Sequence, residues 1–554
     1  MADESRQQSA QAFDALVTDY LEETYRFHPG LASFVGVHSY DGELEDYSAD
    51  SIRAEIENIK SHHRRLIQID PNALDISERI DYRILENSMK ARLLELEEIR
   101  PFEKNPYIYS EPISQTLLRQ ALFDFASPEK RLADVIAKQE KIPQFVESAI
   151  ENLKNPPPVF IEVGLLGLIG TLTFIERDLP MAFSNVGDER LRAKFQASTD
   201  RATEALRKLV EYVDGDLRSN ARGEFALGEK NYEAKLRYEE GISYPLDQLL
   251  ALAERELKRT QEEFIETARR IDPKQPPIET WRTIQQQYPP AGTLVDAAQS
   301  QLDKIQRFIE ERKIISWPAA EPARVAPTPD FYRWSFASII APGPLEPKPL
   351  PSMYFITDVD PSWPSDKQAA HLTYFSYPIL WSISIHEVYP GHYVQIAHLP
   401  KVRSRVRQNF VFMPMTYIEG WAHYTEQMMF EEGFLEEEPK IRLGQLWEAL
   451  LRLCRFIVAI SLHTREMTIE QATKFFVDNA YAEPVPSQNE AERGTFDPMY
   501  LSYSLGKLEI LKLREDYKIA RGADYSLAEF HHRFLSEGMA PIAYHRKLML
   551  GDDF

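Results

Sequence analysis

The strongest constraint on the fold of this chain is the helical period of its apolar residues, combined with a scarcity of glycine. Apolar side chains recur about every 3.6 residues, the period of an α-helix, over 9–26, 52–70, 77–98, 129–153, 188–215 and 246–271. Only 22 of the 554 residues are glycine, and the alternation typical of strands is rare. The pattern predicts a mainly α-helical protein, a large multi-helix body.

Two short motifs mark helix starts in the last fifth of the chain. Thr468-Ile-Glu-Gln471 and Ser526-Leu-Ala-Glu529 have the form of capping boxes. In a capping box the first side chain accepts a hydrogen bond from the backbone three residues later, and the fourth side chain reaches back. We therefore expect one helix to begin after Thr468 and another after Ser526.

Composition excludes several classes of protein. Hydrophobic residues make up 43% of the chain, enough for a large buried core, so we expect no extensive disorder. The chain has 86 acidic and 64 basic residues and a net charge of −22, which repels phosphate backbones and anionic lipids. We expect neither a nucleic-acid nor a membrane partner. The single cysteine, Cys454, lies in an apolar run and is predicted to be a small core residue.

The N-terminal residues and the longest apolar stretch both bear on location. The N-terminus is polar and acidic and lacks the basic and apolar regions of a secretory signal, so we predict a cytoplasmic protein. The apolar stretch Val159 to Ile175 contains Glu162 and three glycines. Its length of about 17 residues is at the short limit for a membrane span. We expect a buried helix or a helical hairpin.

A proline-rich segment interrupts the helical pattern between Pro318 and Pro351, where nine prolines occur. Proline fixes φ and removes an amide donor, so this segment is predicted to be extended. We expect one domain over 1–554, with possible lobes at 1–315 and 352–554 around an active-site cleft, joined by this wrap at 316–351. The β-prone sequel Ser352–Thr357 predicts a short edge strand or small sheet, which suits pairing with an extended peptide. A plain domain linker is the alternative.

The run His386-Glu387-Val-Tyr-Pro390-Gly391-His392 follows this segment and points to metal chemistry. In the H-E-x-x-H motif of zinc hydrolases, two histidines share one helix face and the glutamate activates water. Here the histidines are six residues apart, about 120° around an ideal helix. Pro390 and Gly391 predict a break at 389–391 that returns His392 to the metal. The alternative is a joint between two helices with two structural histidines.

A third ligand is predicted in the segment that follows. Glu419, Ala422, His423 and Glu426 fall on one helix face. Glu419 is the predicted ligand and His423 its rival, while Glu426 is a candidate to orient a histidine ligand. A surface stripe of charges is the alternative. Iron(II) also suits two histidines and a carboxylate, but Glu387 beside the first histidine favours zinc hydrolysis.

These motifs carry a family resemblance. H-E-x-x-P-G-H-x-x-Q and E-G-W-A-x-Y-x-E resemble the bacterial family known as domain of unknown function 885, which is similar to gluzincin-type zinc peptidases. The resemblance extends to Pro29–Asp41, Leu227–Tyr232, Gly506–Arg514 and Phe530–Gly538. It implies one Zn²⁺ per chain held by His386, His392 and Glu419, with Glu387 as the base. His423 departs from the aliphatic residue of the family pattern, and Tyr393 stands where a second histidine is common.

Other residues are candidates for the chemistry around the metal. Tyr503 lies in an element that resembles the family's Y-x-x-G pattern, which implies a donor to the oxyanion; a core tyrosine is the alternative. Arg493 and Lys507 are candidates to bind a substrate carboxylate, with surface salt bridges as the alternative. Tyr354, in the β-prone segment, is a further substrate-binding candidate.

The predicted function is a zinc metallopeptidase of carboxypeptidase or dipeptidase type. Its partner is a small peptide or other amide, and its mechanism is attack by a metal-activated water with Glu387 as general base. The alternatives are a non-peptide amidohydrolase and a non-catalytic helical binding protein with a vestigial site. The oligomeric state is left open.

Overall fold

The computed structural model describes residues 2–318, 321–329, 333 and 336–551. These residues form two compact units. The N-terminal unit contains the chain up to Phe225, together with Pro342–Leu350 and Asn409–Phe412. The C-terminal unit contains Ala226–Ala341, Pro351–Gln408 and the chain from Met413 onward. Both units are mainly helical, as the apolar period predicts.

The N-terminal unit has twelve helices among its described residues. They are α1 (Ala2–Phe27), α2 (Pro29–Val35), α3 (Ala49–Leu66), α4 (Ile76–Leu93), α5 (Pro101–Lys104), α6 (Glu111–Leu122), α7 (Pro128–Gln139), α8 (Ile142–Asn152), α9 (Pro158–Thr173), α10 (Leu179–Ala182), α11 (Glu189–Tyr212) and α12 (Arg218–Asn220). Three π-helical segments extend α4, α9 and α11; they are Leu94–Ile99, Phe174–Asp178 and Val213–Leu217.

The C-terminal unit combines fourteen described helices with a small sheet. In chain order they are α13 (Glu229–Glu240), α14 (Leu246–Ile271), α15 (Pro277–Gln285), α16 (Leu294–Arg312), β1 (Arg324–Pro327), β2 (Ala337–Ile340), β3 (Met353–Ile356), α17 (Ser365–Thr373), α18 (Tyr377–Glu387), α19 (His392–His398), α20 (Met415–Glu431), α21 (Pro439–Thr464), α22 (Ile469–Ala480), α23 (Pro484–Phe496), α24 (Ser502–Arg521), α25 (Leu527–Ser536) and α26 (Ile542–Leu550).

Local sequence signals explain several helix boundaries. At Thr468 both hydrogen bonds of the capping box form, and at Ser526 the hydroxyl accepts from the Glu529 N–H. The periodic segment 129–153 is two helices, because Pro143 lies in the first turn of α8 and has no N–H to continue α7. The predicted segment 52–70 is helical only as far as Leu66, and the remaining predicted helices are continuous.

The long apolar stretch forms a helix with two different faces. One face is buried and includes Phe160, Leu165 and Leu168, whereas Leu166 is 75% exposed and Ile169 is 49% exposed. Pro158–Ala182 is long and apolar enough to cross a bilayer, and 44% of its most apolar window is buried within the protein. The core helices of soluble proteins also meet that criterion of length and composition. The helical prediction is confirmed, but the burial is only partial.

The sheet has the order β1-β3-β2, with β1 parallel and β2 antiparallel to β3. The predicted small sheet is present, but the prediction that Ser352–Thr357 is an edge strand is wrong. The core of that segment, β3, is central, because residues 324–327 and 337–340 of the proline-rich segment pair with it from both sides. β2 is therefore an edge strand.

The two units do not follow the predicted lobes at 1–315 and 352–554. Helices α13 to α16 belong to the C-terminal unit, where α14 packs extensively against α21. The proline-rich segment contributes residues to both units. The predicted division is therefore corrected to a boundary at Phe225, which lies 90 residues earlier in the chain than the predicted one at 315.

Two glycines set the distance between α20 and α24, the helices that carry Glu419 and Tyr503. A Cβ on Gly420 would lie 2.6 Å from the Gly506 Cα, and a Cβ on Gly506 would lie 2.1 Å from the Thr416 carbonyl oxygen. Only glycine permits this backbone contact.

Glu240 caps the start of α20, because its buried carboxylate accepts the N–H groups of residues 415 and 416 at 3.0 and 2.9 Å.

An ionic cluster around His38 links the early part of the N-terminal unit to its segment Pro342–Leu350. His38 Nδ1 lies 2.8 Å from Asp41 Oδ2 and its Nε2 lies 2.9 Å from Glu346 Oε2. The imidazole stacks on Phe125 at 4.1 Å between ring centroids. Burial lowers the pKa of His38, but the hydrogen bonds to both carboxylates outweigh burial and raise the pKa from 6.5 to about 9.

This raised pKa makes a stability prediction. The folded chain holds the His38 proton more tightly than the unfolded chain, so the stabilisation is fully present below about pH 6.5 and is lost as the pH rises through about 9. We expect the difference in unfolding free energy between wild type and His38→Gln to shrink between those pH values. Denaturant unfolding across that range measures the difference, and a constant difference would contradict the assignment.

Candidate metal centre

The predicted break separates the two histidines onto different helices. Helix α18 ends at Glu387, and α19 begins at His392. The Gly391 N–H donates to the Ile385 carbonyl at 3.1 Å, so the chain folds back on the last turn of α18. This return places the His386 and His392 rings with their centroids 4.7 Å apart, at an interplanar angle of 87°.

Gly391 is the contact on which this return depends. A Cβ at this position would lie 1.8 Å from the His386 carbonyl oxygen, whereas real Cβ contacts are essentially never under 3.0 Å. Helix α20 holds the connection from the other side, since Trp421 Nε1 donates to the Pro390 carbonyl at 3.0 Å. The Gln395 amide also donates to the Tyr417 carbonyl at 2.8 Å.

Glu419 completes a three-residue cluster with His386 and His392. Its Oε2 lies 3.3 Å from His386 Nε2 and 3.4 Å from His392 Nε2. All three ligand atoms lie within 4.8 Å of one another. The side chains of His386, His392 and Glu419 are 8%, 11% and 14% exposed. Among the described residues, this is the group that has the donor set of a metal site.

The separations of the Glu419 oxygen from the two imidazole nitrogens fit a zinc ion. Zinc–nitrogen and zinc–oxygen bonds of about 2.0–2.2 Å at tetrahedral angles separate neighbouring ligand atoms by about 3.3 to 3.5 Å. The distances of 3.3 and 3.4 Å from Glu419 Oε2 to the two nitrogens match that range. Apart from these two imidazole nitrogens, the buried Glu419 Oε2 has no hydrogen-bond partner in the described part of the chain. Burying such a carboxylate oxygen is costly unless a cation compensates it.

The carboxylates of the cluster attract positive charge, a proton or a metal ion, to the imidazole of His386. Burial raises the pKa of Glu419, but the nearby His392 and His386 hold it well below its usual range. Burial lowers the pKa of His386, but the carboxylates of Glu419 and Glu426 raise it to about 9. At neutral pH a proton and a metal ion therefore compete for His386 Nε2.

Glu426 fixes His386 from the other side of the ring. Its Oε1 lies 2.8 Å from His386 Nδ1, and Arg452 Nη2 lies 3.3 Å from the same oxygen. Glu426 Oε2 lies 3.3 Å from His423 Nδ1, and both side chains are fully buried. Burial raises the pKa of Glu426, but Arg452 and His423 hold it well below its usual range. His423 thus contacts Glu426 and lies outside the ligand cluster.

Glu387 follows the ligand His386 in the sequence and contacts the sheet. Its Oε2 accepts a hydrogen bond from the Ile339 N–H at 3.1 Å. Ile339 is on the edge strand β2, and this N–H points away from β3, toward α18. The carboxylate that was predicted as the base is therefore held at the free edge of the sheet.

The Tyr503 ring lies against the cluster. It stacks on His386 at 6.2 Å between centroids. Burial raises the pKa of the phenol, and the charge of Glu419 raises it further. The group is therefore a neutral hydroxyl at neutral pH. Arg493 hydrogen-bonds to it and also donates to Asp497 Oδ2 at 3.0 and 2.8 Å.

The prediction of direct contact with a substrate is wrong for two residues, Tyr354 and Lys507, because both are buried. Tyr354 is fully buried in the central strand β3, where its hydroxyl lies 3.3 Å from Ser384 Oγ. Lys507 is 3% exposed, and burial lowers its pKa to about 8. Arg493 remains a candidate, because its side chain is 36% exposed and reaches Tyr503.

The sequence reasoning missed two arginines. The guanidinium groups of Arg452 and Arg455 lie 5.5 and 5.2 Å from the centre of the Tyr503 ring. Arg455 forms a bidentate pair with Glu490 at 2.6 and 2.7 Å. Both lie in the apolar run around Cys454, which is a buried core residue as predicted. Charged residues are rarely buried unless they are paired. The presence of two arginines within an apolar run is therefore a sequence signal that could have identified them.

Comparison with known proteins adds a family and two solved structures. A family profile described as "Bacterial protein of unknown function (DUF885)" matches residues 29–549. No curated protein matches the chain. A "putative lipoprotein of unknown function" from Shewanella oneidensis is similar over 98% of this chain and 99% of its own, with 26% identity and a TM-score of 0.80. A "putative lipoprotein" from Colwellia psychrerythraea is similar over 99% of this chain and 98% of its own, with 20% identity and a TM-score of 0.81.

These descriptions overturn one prediction. Both similar structures are described as lipoproteins, a class that is attached to membranes. The cytoplasmic location inferred from the polar N-terminus is contradicted by that finding. The inference failed because it rested on the composition of the N-terminal residues alone.

The contact at Gly391 predicts the effect of one added methyl group. Gly391→Ala pushes residue 391 away from the His386 carbonyl, so the two imidazoles separate and zinc affinity falls by about tenfold or more. Gly170→Ala is the matched control, because no atom lies within 4 Å of its Cβ position. Competition with a fluorescent chelator measures both affinities. Equal affinities would contradict the role of this contact.

The Glu426–His386 hydrogen bond predicts a smaller effect on the metal. Glu426→Gln keeps the shape but removes the charge that orients and polarises the imidazole, so zinc affinity falls by roughly 10- to 100-fold. Glu431→Gln, at the exposed end of the same helix, is the control. Zinc titration of the two variants measures the difference. An affinity equal to that of the control would show that Glu426 does not support the ligand.

Proposed function

Since the chain belongs to the DUF885 family of bacterial proteins of unknown function, we propose its function from the chemistry of its own site: a zinc-dependent hydrolase that cleaves amide bonds of short peptides. We assign it to the gluzincin kind of metallopeptidase, with His386, His392 and Glu419 as ligands of one Zn²⁺. Glu387 is the general base.

One observation carries the proposal: the structure brings three ligands together, and the residue that follows the first ligand is a carboxylate that is not part of the cluster. The separations of 3.3 and 3.4 Å from Glu419 Oε2 to the two imidazole nitrogens suit a tetrahedral ion with one position left for water or substrate. A purely structural zinc site is closed by a fourth ligand and needs no base. Glu387 is adjacent in sequence to a ligand and is outside the cluster, which favours a catalytic site.

The mechanism assigns a proton path to Glu387. Zinc held by the three ligands would lower the pKa of a bound water to about 7. Glu387 accepts the proton from the attacking water and delivers it to the leaving amine. The Ile339 N–H at 3.1 Å holds the carboxylate in one orientation for both transfers. Positioning of this kind lowers the entropic cost of the reaction.

The other groups bind and stabilise the substrate. Tyr503 retains its proton, so its hydroxyl donates to the oxygen that becomes negative when the carbonyl is attacked. Arg493, which hydrogen-bonds Tyr503, orients that hydroxyl and offers the remaining guanidinium donors to a substrate carboxylate. This arrangement favours substrates with a free C-terminus, as in carboxypeptidases and dipeptidases.

The relatives bear on where the reaction takes place. Two similar proteins are described as lipoproteins, so we propose that this chain also acts at a membrane surface or outside the cytoplasm.

The experiment that tests the function compares wild type with Glu387→Gln. Both proteins should bind about one zinc per chain, because Glu387 is not a ligand, while only the wild type should hydrolyse a panel of dipeptides and carboxypeptidase substrates. The expected loss in kcat is at least about 100-fold. Equal hydrolysis by both proteins would refute the assigned base. Zinc binding by wild type without hydrolysis of any peptide or N-acyl amino acid would refute the proposed activity.

A further inference from the structure

A cavity in the N-terminal unit is not used by the proposed hydrolysis. It has a volume of about 220 Å³ and lies between α1, α2, α3 and α4. Engineered protein cavities of roughly 150 Å³ bind benzene, so this one is large enough for a ring with a short chain. Its walls include the apolar side chains of Phe27, Leu31, Ile59 and Val411.

The floor of the cavity is a buried ionic network. Glu55, whose side chain is 9% exposed, lies 2.8 Å from His28 Nε2. Arg92 binds both oxygens of Glu55, with Nε at 2.7 Å and Nη2 at 3.1 Å. Arg92 Nη1 also donates to Glu95 at 3.0 Å. The single guanidinium is therefore shared by two carboxylates.

A further carboxylate, Glu23, lines the same cavity. It accepts hydrogen bonds from the Asn58 amide at 3.4 Å and from Arg26 at 2.8 Å. Among the charged side chains that line the cavity, the two carboxylates of Glu23 and Glu55 outnumber the single guanidinium of Arg92. Tyr20 and Phe27 add aromatic rings to the lining. Excess negative charge beside aromatic faces favours a cation.

We propose that this cavity binds a small organic ammonium ion, an amine that carries an aryl or branched alkyl group. The apolar walls take the hydrocarbon part, and the ammonium donates to the Glu23 carboxylate and to the hydroxyls of Thr24 and Ser88, which also line the cavity. An anion of the same size is repelled by Glu23 and Glu55. The proposal is independent of the metal centre.

Three probes of similar size test the charge requirement. The full-length protein is titrated by calorimetry at about pH 8 with 2-phenylethylamine, 2-phenylethanol and 3-phenylpropionate. We expect saturable 1:1 binding of the amine, binding of the alcohol that is about tenfold weaker, and no binding of the acid. The same result after zinc removal with EDTA would separate this site from the metal centre. Equal affinity for amine and alcohol, or no saturable binding of the amine, would overturn the proposal.

Variants assign the binding to the cavity. Glu23→Gln should weaken the amine about tenfold and leave the alcohol unchanged, whereas Glu22→Gln should change neither. Glu22 is the matched control, since it is on the same helix, 64% exposed, and not part of the lining. Leu31→Trp, which fills the cavity, should abolish binding of both probes. Unchanged binding in Leu31→Trp, or equal effects of the two glutamate variants, would also overturn the proposal.

Discussion

The metal centre depends on the contact between the backbone of residue 391 and the last turn of α18. Without a side chain at Gly391, its N–H reaches the Ile385 carbonyl at 3.1 Å. This contact converts a spacing of six residues, which an α-helix would place on different faces, into two adjacent imidazoles. The Trp421 indole then secures the connection to α20, the helix that supplies Glu419. The ligands therefore share one rigid support.

Buried charge around the ligands is the second constraint. Glu426 and Arg452 lie in the interior and compensate each other, and the Glu426 carboxylate also binds His386. Removing water from isolated charges is expensive, so each of these groups requires its partner. The same partners fix the tautomer and the orientation of a metal ligand. The stability of this core and the geometry of the site are thus two consequences of one network.

Much of this arrangement could be predicted from the sequence, because its signals are local. The apolar period gave the helices, and Pro390 with Gly391 predicted the break that the structure contains. The position of Glu426, seven residues after Glu419 on one helix face, predicted its contact with a histidine. That contact is present at 2.8 Å.

The remaining features depend on contacts between distant parts of the chain. Tyr354 lies in a central strand because two other segments pair with it, which no local pattern indicates. Lys507 is buried because α24 turns that face toward α20, where Gly506 meets Gly420. The Ile339 N–H reaches Glu387 across 48 residues of sequence. Location, in contrast, was inferred wrongly from the N-terminus and corrected by similar proteins.

The central claim is that one zinc ion is bound by His386, His392 and Glu419, and anomalous diffraction at the zinc absorption edge tests it most directly. Crystals of the zinc-reconstituted protein should show one anomalous peak per chain. The peak should lie about 2.0–2.2 Å from both Nε2 atoms and from a Glu419 oxygen, with Glu387 outside the coordination sphere. No peak at this cluster, or a peak in which His423 or Glu387 replaces one of the three ligands, would contradict the account.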